Sequence, residues 1–210
     1  LYHFDVRPLS LCRNQGDGTF SNETHLLNSD SSPSRKRGDY GNIWGSGFQP
    51  KWVDFDNDGD IDLYVVNDFG EEIYPNVLWR NDGVSNVGTW RFTDISQSSG
   101  SDIAMFGMGI AVGDYNRDGN VDFYLTNINE NHLLSKDPVN DTFNDVASQA
   151  GVSAGIFDTQ PRVSWGAVFF DYDNDGFEDL YVASGWLDTD DINRKNQANV
   201  LFHNNGDATF

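Results

Sequence analysis

The chain holds one cysteine, two methionines and only 13 lysines and arginines against 33 acids. The lone thiol, Cys12, closes no internal disulfide, which excludes a cystine-stapled scaffold. The shortage of basic residues leaves a net charge of -20 and a pI near 4.1. Such a surface repels phosphate backbones and anionic lipid, so nucleic acid is not an expected partner. No apolar run approaches the roughly 18 residues that a membrane-spanning helix needs, so no membrane span is expected. The four histidines, His3, His25, His132 and His203, are scattered without metalloenzyme spacing and are read as strand or surface residues. Gly45-Ser46-Gly47 is not the frame of a nucleophile elbow. No secretion signal is visible, but the chain opens Leu1-Tyr2-His3-Phe4 without Met and is expected to have lost its natural start.

What the chain does have is a nine-residue acidic pattern, repeated three times. The copies run Asp54 to Asp62, Asp114 to Asp122 and Asp171 to Asp179, with first residues 60 and then 57 positions apart. Acidic or amide side chains stand at loop positions 1, 3 and 5: Asp54, Asp56 and Asp58; Asp114, Asn116 and Asp118; Asp171, Asp173 and Asp175. Gly at position 6 permits a sharp turn, and the carbonyl of position 7 (Asp60, Asn120, Phe177) adds an oxygen. An EF-hand would close with Glu at position 12, where Val65, Leu125 and Val182 stand instead. Here the closing acid is at position 9, as Asp62, Asp122 and Asp179, and a strand-like run follows each time. Oxygen-rich donor sets of this kind suit calcium; magnesium keeps more waters and zinc prefers His or Cys. Asp-x-Asp-x-Asp-Gly can also form Asx-turns with no metal, but three copies in one register favour about three calcium sites.

The repeat is longer than its loop. An apolar strand precedes each loop, a Leu-Tyr-Val-like strand follows it, and a third strand then leads through a Gly-Asp turn to a Phe. Each unit is therefore about four short strands, close to one propeller blade. The expected organisation is a partial blade with an inserted loop over 1–46 and a blade over 47–105 carrying loop 54–62. A blade over 106–163 carrying loop 114–122 and a partial blade over 164–210 carrying loop 171–179 complete it. Leu1-Tyr2 aligns with Leu63-Tyr64, which places a further loop upstream. The fold class is all-β: an incomplete β-propeller of about three and a half four-stranded blades, whose open edges are expected to meet missing blades of the same chain.

These residues resemble the FG-GAP or VCBS repeats of integrin-α-type β-propellers. More narrowly, Gly107 to Asp114 and Trp165 to Asp171 are similar to the cartilage acidic protein and ASPIC/UnbV family. The resemblance covers residues 47–210 well and 1–20 partly. It implies a seven-bladed ring with calcium in the hairpin between the first two strands of successive blades. Loop positions 1, 3, 5, 7 and 9 would supply the ligands. Two departures stand out: no ASPIC/UnbV segment is present, and the turn over Lys136 to Thr142 lacks the usual Gly pair.

The function expected is a non-catalytic calcium-binding scaffold for adhesion or binding, with a protein or glycan ligand. Open acidic calcium sites serve where calcium is plentiful, which places the chain outside the cytosol, secreted or at a cell surface. The alternative is a propeller-type polysaccharide lyase or hydrolase, or a carbohydrate-binding lectin. Its site would lie in residues 21–46 or 185–199, with Trp44 and Trp186 as stacking platforms or packed between blades. Paired catalytic acids would be needed, and the dense acids sit in the metal loops instead. Arg37-Gly38-Asp39 spells an adhesion tripeptide too short to outweigh chance, and Asn22-Glu23-Thr24 and Asn140-Asp141-Thr142 are glycan-acceptor sequences only in a eukaryotic secretory route.

Overall fold

One strand plan recurs along the chain in the computed structural model, which describes residues 10–28, 45–157, 160–186 and 197–210. A short ribbon, β1 (Cys12–Asn14) and β2 (Phe20–Asn22), leads into a 3-10 turn over Thr24–Asn28. The first full sheet is an antiparallel meander of β3 (Ser46–Val53), β4 (Asp62–Asp68), β5 (Val77–Val84) and β6 (Trp90–Asp94). Helix α1 (Ser96–Ser99) connects it to the second meander: β7 (Gly109–Gly113), β8 (Asp122–Thr126), β9 (His132–Asp137) and β10 (Thr142–Asp145). Helix α2 (Ala147–Ala150) and a two-stranded ribbon, β11 (Ile156–Phe157) with β12 (Gln160–Pro161), come next. The third sheet contains β13 (Ser164–Phe170), β14 (Asp179–Ser184) and β15 (Val200–Phe202). The fold is all-β with propeller-like blades.

The second strand of each of the first two sheets is an apolar run because both of its faces are covered. On β4, Leu63 and Val65 face Val77, Trp79, Phe92 and Leu27, while Tyr64 and Val66 face Ile110, Phe123 and Leu125 of the next sheet. The same alternation repeats on β8, where Phe123 and Leu125 pack backward and Tyr124 packs forward onto Phe169, Leu180 and Val182. The leading strands lie side by side. Gln49 on β3 accepts the Ile110 amide of β7 at 3.0 Å. Gly109 has no side chain because a Cβ there would lie 2.3 Å from the Trp165 carbonyl of β13.

In the first two sheets a tyrosine fastens the sheet to the connector that follows it. The Tyr64 hydroxyl donates to the Ser101 carbonyl and the Tyr124 hydroxyl to the Val152 carbonyl, both at 2.7 Å. Those carbonyls are aimed by the short helices. Asp94 accepts the Ser96 amide and Asp145 the Ala147 amide at each helix start. Gly100 and Gly151 then end the helices in left-handed conformation, with φ of 72° and 82°. The sequence reading gave these stretches no helix. Leu78 and Leu133, paired with the two tyrosines across the strands, are fully buried. In the third sheet the equivalent Leu201 is 47% exposed, and the Tyr181 hydroxyl takes the Asn199 side-chain amide at 2.6 Å instead.

Two expectations need adjustment. Residues 21–46 are not one solvated loop: Phe20–Asn22 is a strand, and Leu26 and Leu27 in the following turn pack against the first sheet. Arg35-Lys36-Arg37, the Arg37-Gly38-Asp39 tripeptide and Trp44 lie outside the described residues, as do Asp188, Asp190 and Asp191. The turn after Lys136 forms without its glycines because Asp141 itself takes φ 51°, while Asp137 accepts the amides of Val139 and Asn140.

The tyrosine fastening is directly testable by urea denaturation. Tyr124→Phe leaves the Val152 carbonyl without its partner and takes from the Asn131 amide the hydroxyl it bonds at 2.9 Å, leaving that amide only Ser164 Oγ. It is expected to cost about 1–3 kcal/mol, whereas Tyr181→Phe stays within about 0.5 kcal/mol. Equal effects of the two changes would refute the blade-to-connector role.

Candidate functional site

Each nine-residue motif folds as the hairpin between the first and second strands of its sheet. Position 1 follows the leading strand, and position 9 is the first residue of β4, β8 or β14. The three turns share one hydrogen-bond plan. The position-1 carboxylate accepts the amides of positions 5 and 6: Asp54 from Asp58 and Gly59, Asp114 from Asp118 and Gly119, Asp171 from Asp175 and Gly176, all at 3.0–3.2 Å. The position-5 carboxylate accepts the amide of position 7 at 2.8 Å in every copy. Asn57, Arg117 and Asn174 at position 4 take φ of 60°, 56° and 62°, and the glycines at position 6 take 93°, 85° and 92°. Only the position-6 values demand glycine; Asn tolerates the milder turn better than Arg does.

Position 9 is the anchor. Asp62, Asp122 and Asp179 are all fully buried. Each accepts the amide of a residue on the third strand or just beyond it: Asn81 to Asp62 at 2.7 Å, Lys136 to Asp122 at 2.9 Å and Asn204 to Asp179 at 2.8 Å. The second oxygens of Asp62 and Asp179 accept the position-2 amides of Phe55 and Tyr172 at 3.0 Å. One oxygen of Asp122 and one of Asp56 are buried with no hydrogen-bond partner. Burial pushes the Asp62 carboxyl up to about 6 and the Asp122 carboxyl to about 7, and Asp56 is raised by burial and by its neighbour Asp58.

The donor set fits a hard divalent cation. Orphaned, buried carboxylate oxygens carry a large desolvation cost that a cation removes, and hard cations take oxygen ligands. Asp54, Asp56 and Asp58 bring oxygens within 4.8 Å of one another, as do Asp171, Asp173 and Asp175. In the second hairpin the Asn116 amide nitrogen lies 3.2 Å from Asp118 and its oxygen accepts the Asp118 amide. Asp60, Asn120 and Phe177 fall at position 7, where the backbone carbonyl is the only donor required of them.

The hairpins also form the seams between sheets. The position-2 rings Phe55 and Tyr115 are buried against Phe143 and Phe210 of the following sheet, with ring centroids 6.1 and 5.7 Å apart. From that next sheet, Lys136 Nζ donates to the Phe55 carbonyl at 2.9 Å, and Asn204 Nδ2 donates to the Tyr115 carbonyl at 2.8 Å. Glu178 Oε2 accepts the Asp114 amide at 2.9 Å, and Arg117 lies 5.1 Å above the Phe177 ring. Sequence reasoning missed Lys136, Asn204 and His203. Lys136 lies within β9 and Asn204 just beyond β15, and their side chains give no local sign of a partner 81 or 89 residues away. His203, read as an ordinary strand or surface residue, is placed beside Asp179 and Asp173. Trp186 is half-buried.

Two four-stranded sheets and a three-stranded one, each opening on an acidic hairpin and the first two hairpins seated in the seam to the next sheet, define a repeat protein of the β-propeller kind. The family model for the FG-GAP-like repeat matches residues 54–125 and 114–182, each match running from one acidic hairpin through the strand after the next. The chain belongs to the FG-GAP-like repeat family. It is also 39% identical over 79 residues to cartilage acidic protein 1 of Xenopus tropicalis. That alignment covers 37% of this chain and 11% of the relative, so the chain spans only a small part of the relative's length.

The raised carboxyls set a pH dependence with a definite sign. Between the ordinary value of 3.8 and their own values of about 6 and 7, Asp62 and Asp122 hold protons in the folded chain that the unfolded chain has released. Their contribution to stability therefore falls as pH rises through that window. In chelator, the urea midpoint is expected to drop between about pH 4 and 7, and Asp122→Asn is expected to flatten part of the drop. The same slope in Asp122→Asn as in the parent would contradict the assignment.

Proposed function

We propose that the chain is part of an extracellular, calcium-binding FG-GAP-repeat propeller that works as a non-catalytic binding scaffold for a protein partner. The observation that carries this reading is the threefold acidic hairpin with buried carboxylates at position 9, together with the unpartnered oxygens of Asp56 and Asp122. A location outside the cell is supported by the printed name of the relative, an acidic protein of cartilage, and by the plentiful calcium such open sites require. Among the described residues no helix is long and apolar enough to cross a membrane.

Calcium acts here through structure. With affinities of ~10⁻⁴–10⁻³ M, typical of extracellular modules, millimolar calcium stabilises the folded form by about 0.4–1.4 kcal/mol per site. Because position 2 of the first two loops, Phe55 and Tyr115, is buried against the next sheet, that energy acts at the seams there, where it holds neighbouring sheets in register. The exposed rim of such an assembly is then rigid enough to present a binding surface at little ordering cost.

Calcium titration calorimetry and melting in calcium or chelator test the proposal. About three ions per chain and a melting temperature that falls in chelator are expected. Asp118→Ala should remove one ion and shrink the calcium-dependent stabilisation by that site's ~0.4–1.4 kcal/mol. Absence of both heat and melting shift would remove the calcium role altogether.

A further inference from the structure

The third hairpin differs from the other two in one ligand-capable atom. The residue just before the third-strand anchor is Arg80 in the first sheet, Ser135 in the second and His203 in the third. Arg80 turns outward to Asp82 at 2.8 Å. Ser135 offers a hydroxyl that takes the Asn116 amide at 3.4 Å. His203 instead points Nδ1 between two carboxylates of its own hairpin, 3.2 Å from Asp179 Oδ1 and 3.5 Å from Asp173 Oδ2.

We propose that the third hairpin holds a mixed oxygen–nitrogen cation site in which the His203 imidazole is a direct ligand, admitting a first-row transition ion such as Zn2+ as well as calcium. This rests on the reading of the hairpins as cation sites. Three observations support it. First, Asp173, Asp179 and His203 bring one ligand atom each within 4.8 Å of one another, and Asp173 is shared with the Asp171–Asp175 group of the same loop. Second, a tetrahedral ion with bonds of about 2.0–2.1 Å holds its ligands roughly 3.3–3.4 Å apart, and the imidazole nitrogen lies 3.2 and 3.5 Å from the two carboxylate oxygens. Third, an ordinary His–Asp pair in the same chain looks different: His132 Nδ1 meets one oxygen of Asp145 at 2.7 Å. His203 faces two acids at longer range, and Asp179 Oδ1 already accepts the Asn204 amide. The Tyr172 ring, edge-on at 5.9 Å, keeps the imidazole in place.

The selectivity follows from ligand type. Imidazole is a good ligand for Zn2+, Ni2+ and Cu2+, whereas calcium favours hard oxygen. The first and second hairpins, with oxygen donors alone, should stay selective for calcium. One chain would then carry two kinds of cation site built on the same turn.

The test is titration of the metal-free chain and of His203→Gln with Zn2+ by calorimetry, with Co2+ by visible absorption, and separately with calcium. Gln keeps an oxygen donor and the size of the side chain, and position 203 is half exposed, so the fold is retained. The parent should take up a single Zn2+ or Co2+ ion whose affinity falls by at least about tenfold in His203→Gln, the loss that removing even an outer-shell partner brings. Calcium uptake should match in the two proteins. Zinc affinity and cobalt spectrum unchanged by His203→Gln would overturn the proposal. Zinc bound at His25 or His132 would be unaffected by this substitution. Absence of calcium uptake at the first two hairpins, with His203-dependent cobalt binding intact, would overturn the calcium reading and leave this one standing.

Discussion

A carboxylate buried at the first residue of the second strand is the constraint on which the rest depends. Asp62, Asp122 and Asp179 have no exposed surface, yet each closes an acidic loop. A buried charge is tolerated only when its oxygens are satisfied. Amides from the third strand and from loop position 2 supply part of that satisfaction. The remainder falls to a proton, as the raised carboxyls of Asp62 and Asp122 indicate, or to a cation. A proton suffices in acid; near neutral pH, in the proposed reading, a divalent ion takes its place.

That anchoring explains why the motif recurs with the sheet and not merely within it. The same residue that gives its amide to position 9 reaches back to the previous hairpin. Lys136 bonds Asp122 through its backbone and the Phe55 carbonyl through its side chain. Asn204 does the same for Asp179 and Tyr115. The second and third sheets are thus joined to their predecessors at the acidic loop, and the first two sheets by a tyrosine to the connector that follows. The stacked rings of Tyr115 and Phe210 fill the seam that these bonds frame. Binding at a loop and packing between sheets draw on the same atoms, which suits a scaffold whose job is to keep its surface in shape.

Much of this was legible in the sequence because its signals are local. Asp-x-Asp-x-Asp-Gly specifies a turn through side-chain to main-chain bonds within nine residues. Leu63-Tyr64-Val65-Val66 announces a strand covered on both faces. The parts that were not legible depend on distance. The Tyr124 hydroxyl finds its acceptor 28 residues on, in a connector whose helix has only four residues, too few for any helical period to register. Lys136 reads as part of a turn without glycines, and its carbon chain disappears beneath the first hairpin. His203 carries no motif with its neighbours; its meaning comes from Asp173 and Asp179, 30 and 24 positions earlier.

The central claim is that these hairpins are cation sites built into the seams between sheets. A crystal structure of the chain grown in calcium, with anomalous scattering recorded at long wavelength, tests it most directly. The account predicts a peak inside each of the three hairpins, with carboxylate oxygens of loop positions 1, 3, 5 and 9 about 2.3–2.6 Å away wherever those positions are acidic. Hairpins in the same conformation, with no peak at millimolar calcium and water beside Asp56 and Asp122, would contradict it.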